Sequence, residues 1–247
     1  ELWDTTLYGW TTTDSYTNTT SMGAETEGPG GMCQAIDSAG VAYAFVSTQS
    51  KSVIVKASGH TTVSDADYPA AVIATPVSLD NYIFVAQQGT RNIYNSAVGD
   101  ATSWAASTYT STEEYGGNIV ALARQGPYVV ALCENHIEFF KDAGIPAPNS
   151  PLVRVSELSQ KVGCVNRATL ATSGNRIIFE GKDANGQVGM YLLEETKLTK
   201  ISNDSIEHVL SVEGGSNFQF GVITSWTNVR SAANFATGYF IPMHRRN

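Results

Sequence analysis

The sequence predicts an all-β fold, a β-propeller-like array of four-stranded blades, complete or incomplete at its termini. Three observations carry this. Short runs of β-branched and aromatic residues alternate with polar turns along most of the chain. Helical periodicity is confined to two short segments, 155–161 (VSELSQK) and 204–210 (DSIEHVL), each good for a turn or two. The strand pairs also recur: matching strands begin at Val41, Tyr82, Tyr128 and Arg176, with successive starts 41, 46 and 48 residues apart. That spacing is the period of a four-stranded propeller blade, roughly 40–50 residues.

Each hairpin has its own turn chemistry. VAYAFVS (41–47) meets SVIVKAS (52–58) across TQSK, and YIFVAQQ (82–88) meets NIYNSAV (92–98) across GTR. NIVALAR (118–124) meets YVVALC (128–133) across QGP, with HIEFFK (136–141) following at once. RIIFEGK (176–182) meets VGMYLLEE (188–195) across DANGQ, and KLTKIS (197–202) trails behind. A further unit starts near Phe218, with FQFGVITSW followed by GYFIPM. The implied division is an irregular N-terminal arm or closing blade over 1–33, rich in Thr, Gly and Ser and containing GPGG (28–31). A propeller-type domain over 34–247 follows, with units near 34–75, 76–117, 118–167, 168–209 and 210–247.

Composition narrows the function. The net charge is −8 and the only dense basic group is the terminal HRRN, so a general phosphate-binding surface is not expected. No apolar run approaches the roughly 20 residues that cross a bilayer, so membrane insertion is not expected. The opening ELWDTTLYGW lacks the basic and apolar segments of a secretory signal. Glu1 is not an initiator Met, so residues ahead of it are expected to have been processed, cleaved or omitted. Cys33, Cys133 and Cys164 are widely spaced, form no CxxC pair, and read as small apolar fillers.

ALCENHIEFFKDAG (131–144) is the stretch richest in reactive residue types, with Cys133, Glu134, His136 and Glu138 close together. A zinc site needs three or four converging ligands. The four histidines (60, 136, 208 and 244) form neither HxH nor HExxH. The stretch reads instead as two strands joined at a Glu134–Asn135 corner, Asn tolerating the left-handed turn. His136, Glu138 and Phe140 then share one face, and Ile137 and Phe139 the other. On that reading, replacing Glu134 or His136 by alanine costs at most a modest amount of stability.

DANGQVGMYLLE (183–194) sets Asp183, Asn185, Gln187 and Glu194 at calcium-loop positions, but Val188 stands where a glycine is required. Asn-Gly between apolar runs favours a hairpin. GxSxG, P-loop and GxGxxG motifs are missing, and SAVGDATSW (96–104) carries the Gly and Asp of a sialidase turn in the wrong order. Glu113–Glu114 and Glu194–Glu195 are adjacent pairs that would face opposite ways on a strand, unsuited to flanking a glycosidic bond. No catalytic, cofactor-binding or metal residues are assigned, and no enzyme is expected. Trp3, Tyr8, Trp10, Tyr16, Trp104, Tyr109, Tyr115 and Trp226 lie in polar surroundings, where they would stack on sugars, enter an interface or anchor loops.

Taken together, DNYIFVAQQGTRNIYNS (80–96), NIVALARQGPYVVALCENHIEFFKDAG (118–144) and VGCVNRATLATSGNRIIFEGKDANGQVGMYLLEETKLTKISNDSIEHVL (162–210) resemble the packaged-DNA stabilisation, or tail-nozzle, proteins of short-tailed bacteriophages. The matching features are NIVAL opening a blade, IEFF before a Gly-containing loop, VGC before a small-residue strand, NRIIF leading to MYLL, and KISNDSIEHVL closing that blade. Relative to that family the chain is short and its last unit stops unfinished.

The resemblance implies a propeller subunit in a homo-oligomeric, hexameric ring of the virion tail, made in the host cytoplasm. It would join the tail adaptor and other tail proteins, extend the channel and retain packaged DNA, which passes without sequence recognition until genome ejection. An acidic lumen would repel phosphates and let the DNA slide. A carbohydrate- or receptor-binding propeller is the alternative, and a glycan-cleaving one ranks third.

Overall fold

The computed structural model describes residues 30–208 with their side chains. Residues 6–10, 19–24 and 209–213, and strands at 218–220, 224–226, 238–240 and 243–245, are described by their backbone alone. Strands β1 (Thr6–Trp10) and β2 (Thr19–Ala24) form an antiparallel hairpin where an irregular arm was one expectation. At the far end, 218–220 pairs with 243–245 and 224–226 with 238–240, within the expected unit 210–247. The side chains of Trp3, Tyr8, Trp10, Tyr16, Trp226 and His244 lie outside the described residues.

Between these ends run four antiparallel sheets, the first three meanders in chain order, as propeller blades are. The first is β3 (Gly31–Ile36), β4 (Ala42–Ser47), β5 (Ser52–Lys56) and β6 (Gly59–Thr62). The second is β7 (Val77–Leu79), β8 (Tyr82–Ala86), β9 (Asn92–Ala97) and the long β10 (Asp100–Ser111). The third is β11 (Ile119–Gln125), β12 (Tyr128–Cys133), β13 (Ile137–Asp142) and β14 (Leu152–Arg154). The fourth orders β15 (Val162–Cys164), β17 (Arg176–Asp183), β18 (Val188–Glu194) and β19 (Lys197–Lys200), with β16 (Ala171–Ser173) also on β17.

The VGC segment, within the expected unit 118–167, thus joins the sheet of the following unit. The two weakly helical segments become a 3-10 turn at Ser156–Leu158 and a helix, α1 (Asp204–Glu213).

The chain divides into two compact units, residues 1–112 with 141–153, and residues 113–140 with 154–247. The core of the first lies between its two sheets. Strand alternation sends Ala35, Tyr43, Phe45 and Ile54 of the first sheet against Ile83, Val85, Ala101 and Trp104 of the second. In the second unit Ala121, Val130, Leu132, Ile137 and Phe139 meet Cys164, Ile177, Phe179, Tyr191 and Leu193 in the same way. Phe45, Phe139 and Phe179 are wholly buried, and burying such a side chain is worth about 1.5–3 kcal/mol.

Turn chemistry fixes the registers. Asp80 and Asn81 both take positive φ (49° and 65°), the two-residue corner that lets a right-twisted hairpin close. In the DANGQ turn Asp183 Oδ1 accepts the Asn185 and Gln187 amides at 2.9 Å, and Gly186 sits at φ 85°. The would-be calcium loop is therefore a hairpin whose aspartate is occupied by its own backbone.

Candidate functional site

His136, Glu138 and the segment 113–118 form a polar cluster in the second unit. The alternation expected for IEFF holds: Ile137 and Phe139 enter the core, while His136 and Glu138 share the opposite face. Their surroundings do not match a polar blade face, because both side chains are fully buried. Glu138 Oε1 lies 2.8 Å from His136 Nε2 and accepts the backbone N–H groups of Glu113 at 3.0 Å and Glu114 at 2.9 Å. Arg154 Nη1 stands 3.7 Å from Glu138 Oε2, and Arg154 Nη2 3.5 Å from the Glu113 carboxylate. A carboxylate this deep costs several kcal/mol to desolvate unless charges and donors replace its water. Burial pushes its pKa up, but the His136 hydrogen bond, the Glu114 amide and the charges of His136 and Arg154 outweigh that and hold it below the usual glutamate value.

The neighbouring corner holds the same segment from its other end. Glu134 Oε2 accepts the Asn118 N–H at 3.0 Å, and Asn135 Nδ2 donates to the Gly116 carbonyl at 2.8 Å. Ser159 Oγ donates to the Glu114 carboxylate. Tyr115 packs edge-on to the His136 ring, centroids 5.5 Å apart, with the Lys161 ammonium 5.4 Å from its own. A Cβ at Gly117, itself at φ 121°, would approach Asn135 Nδ2 to 2.9 Å. Behind the corner, a Cβ at Gly163 would lie 1.9 Å from the Glu134 carbonyl oxygen, so only glycine fits the VGC strand there.

Asn135 is not among the described residues with positive φ, so its part is this side-chain contact and not a left-handed corner. The cluster as a whole is a clamp. It straps 113–118 onto the third sheet through Glu138 Oε1 and Glu134 Oε2, which accept amides of the chain, while Glu138 Oε2 makes no hydrogen bond and stands 3.7 Å from Arg154 Nη1. The small stability cost expected for His136→Ala is corrected accordingly: the change would remove a buried partner of a buried carboxylate.

The other sequence candidates are scattered. Cys133 and Cys164 are buried, Cys33 half-buried, and all three are free thiols. Burial pushes Cys33 and Cys164 up to about 12, which keeps them as thiols and poor nucleophiles. Glu194 pairs with Arg176 at 2.7 Å, and Glu195 occupies a turn at φ 54°. Glu113 and Glu114 both give their amides to Glu138. Among the described residues no group of three or more His, Cys, Asp or Glu could hold a metal ion. Trp104 is buried, its indole N–H donating to the Ala101 carbonyl at 2.9 Å and its ring meeting Tyr68 edge-on at 4.8 Å. It anchors a loop and is no sugar platform. Tyr109 is 44% exposed and lies beside Tyr94, centroids 5.3 Å apart.

Sequence reasoning missed Arg154 and the strap. The available signal was Glu138 itself, a charge inside an apolar strand, which requires a cation or several donors nearby.

Comparison with known proteins adds three findings. The model of a family named Phage_stabilise, described as "Bacteriophage P22 Gp10, beta-propeller", matches residues 10–219. No curated protein matches the chain. Among solved structures, the Myceliophthora thermophila Cps50 (Swd1) β-propeller domain shares 12% identity at a TM-score of 0.44, over 74% of this chain and 58% of that one. YCF48 from Cyanidioschyzon merolae shares 10% identity at 0.45, over 85% and 68%. The extracellular domain of BT4673 from B. thetaiotaomicron shares 13% at 0.47, over 92% of this chain and 29% of that one. The chain thus spans just over half of the first of these structures.

Proposed function

The chain belongs to the Phage_stabilise family, the β-propellers described by bacteriophage P22 Gp10, and from that membership we propose that it is a tail-nozzle subunit. A structural protein of the phage virion is the coarse reading that the family carries. The finer one is a homo-oligomeric ring, hexameric in stoichiometry, attached to the tail adaptor. It extends the tail channel, retains packaged DNA and releases it at infection.

The family match over residues 10–219 is the observation that carries this reading. Two features support it. A net charge of −8 suits a passage for DNA, because like charge keeps phosphates from adhering. The clamp on 113–118 is structural in its contacts: the buried Glu138 carboxylate commits Oε1 to two backbone amides and to His136.

Size-exclusion chromatography with light scattering, followed by negative-stain imaging, tests the proposal. The expected result is a ring with a central channel and no retention on a bacterial glycan array. A monomer at micromolar concentration that binds a glycan would overturn it in favour of a receptor-binding propeller.

A further inference from the structure

The turn between β17 and β18 sets an exposed asparagine directly before a glycine. Asn185-Gly186 is the one Asn-Gly step in the 247 residues. A cyclic imide forms when the nitrogen after an asparagine reaches the carbonyl carbon of that asparagine's side chain. A Cβ on the following residue crowds this approach, and glycine has none. Asn185 and Gly186 are both exposed. Gly186 stands at φ 85°, and of the described atoms only Lys182 Cε, at 3.6 Å, lies within 4 Å of where its Cβ would be.

The other described asparagines lack this combination. Asn95 and Asn149 are each followed by serine, the next smallest neighbour. Asn95 is 4% exposed, and its amide nitrogen donates to the Ser96 carbonyl at 3.0 Å. Asn149 precedes a Ser150 that is only 8% exposed. The rest precede Tyr, Ile, His, Arg or Asp, whose side chains hinder the nitrogen.

The fold resists the reaction at one point. The Gly186 N–H donates to the Asp183 carbonyl at 3.0 Å, and that bond has to open before the nitrogen can turn to the side chain. It is a single bond in an exposed turn, the kind of site that opens locally at little cost. Asp183 Oδ1 holds the Asn185 backbone amide at 2.9 Å, while the Asn185 side chain makes no hydrogen bond to the described residues.

We propose that Asn185 is a modification site, converted without an enzyme to isoaspartate and aspartate through a cyclic imide with Gly186. The Gly186 nitrogen bonds to Asn185 Cγ and gives its proton to hydroxide, while the Cγ–Nδ2 bond breaks and ammonia leaves. Water then opens the ring at either carbonyl. Opening at Cγ gives aspartate. Opening at the main-chain carbonyl gives isoaspartate, with the chain now running through the former side chain. The sum is an amide and water giving a carboxylic acid and ammonia, with no change of oxidation state.

Both products put a second carboxylate beside Asp183, and isoaspartate also lengthens the main chain by one carbon. In this turn the Asp183 N–H donates to the Gln187 carbonyl at 3.0 Å, and Asp183 Oδ1 accepts the Gln187 amide at 2.9 Å. The added carbon shifts those partners out of register, so the end of the β17–β18 hairpin loosens as the protein ages. The inference owes nothing to the tail role.

Ageing the full chain at neutral and mildly alkaline pH, followed by peptide mass spectrometry, tests it. The peptide carrying residue 185 should gain about one dalton and split into two chromatographic forms. One form should accept a methyl group from an isoaspartate-directed methyltransferase. Conversion should run ahead of every other asparagine and quicken as pH rises. A urea-unfolded sample should convert several-fold faster, because the bond to Asp183 is then lost. Asn185→Gln, whose longer side chain closes a ring less readily, should stay unmodified over the same time. Conversion in the unfolded chain alone, or at another asparagine first in the folded chain, would overturn the assignment. In the aged fraction, hydrogen exchange over residues 183–188 should exceed that of fresh protein, and equal exchange would refute the loosening.

Discussion

The two units solve one problem by different chemistry. Each has to tie the segment that enters one of its sheets to a neighbouring strand. In the first unit the segment 63–76, between the first and second sheets, is tied by a hydroxyl and an aromatic seal, with one carboxylate near the surface. Tyr68 sets its hydroxyl 2.6 Å from Ser52 Oγ and its ring edge-on against Trp104, while Asp65 accepts the Trp104 and Asp67 amides at the surface. In the second unit the segment 113–118 is tied by a buried carboxylate, with histidine and arginine beside it. Hydroxyl and ring anchors act through packing and change little with pH. A buried carboxylate acts only while ionised. The difference therefore locates packing sensitivity in both cores and a buried acid-sensitive tie in the second unit, the first unit's own lowered carboxylate, Asp65, standing near the surface.

The largest effects should not distinguish the units. Phe45→Ala and Phe139→Ala each empty a fully buried aromatic site, and each should cost about 3–5 kcal/mol in denaturant unfolding. A loss for Phe139→Ala much below that for Phe45→Ala would break the equivalence of the two cores.

Next come variants of Glu138, where the comparison is sharpest. Glu138→Ala leaves His136 without its partner and two strap amides without an acceptor, at a cost of about 3–5 kcal/mol. Glu138→Gln keeps the shape and one acceptor oxygen and should cost about 1–3 kcal/mol. The pH response follows from the lowered pKa of Glu138. Its contribution is complete above the ordinary glutamate value of 4.5 and is lost as pH falls through the lower, folded-state value. Glu180 in the same unit works in the opposite sense. Burial raises its pKa, so its contribution is present below 4.5 and is lost as pH rises through the folded-state value. The acid response of Glu138 should therefore be read as the difference between wild type and Glu138→Gln. Hydrogen exchange at residues 113–118 should rise on acidification in wild type and be higher but flat with pH in the variant. Identical pH profiles would remove Glu138 from its place as the acid-sensitive element.

Much of this fold was legible in the sequence because strand alternation and turn residues are local signals. NIVALAR–QGP–YVVALC is a hairpin on its face, and IEFF correctly divides into core and opposite face. The site was less legible. Whether Glu138 is exposed or buried depends on what arrives from elsewhere in the chain: Arg154 from 16 residues on, and backbone amides from 24 and 25 residues before. Backbone donors leave no mark in a sequence, since every residue but proline supplies one. Trp104 shows the converse. Its Ser- and Thr-rich neighbours suggested exposure, yet Tyr68 and Phe45 enclose it from other strands and loops.

The smallest expected effect tests the neutral anchor. Tyr68→Phe keeps the ring that meets Trp104 and deletes only the hydroxyl. Burial pushes the Tyr68 pKa up to about 12, so the group stays protonated through the range in which Glu138 titrates. The loss should be about 0.5–1.5 kcal/mol, that of one neutral hydrogen bond, and the same at pH 4 and pH 7. Because Ser52 Oγ also lies 3.0 Å from Ser47 Oγ, the abandoned hydroxyl keeps a partner, which favours the lower end of that range. A loss that grew on acidification would mean that the first unit's anchor is coupled to a carboxylate after all, Asp65, which accepts the Trp104 amide, being the candidate. The contrast between neutral and ionic ties would then fail where it predicts the least change.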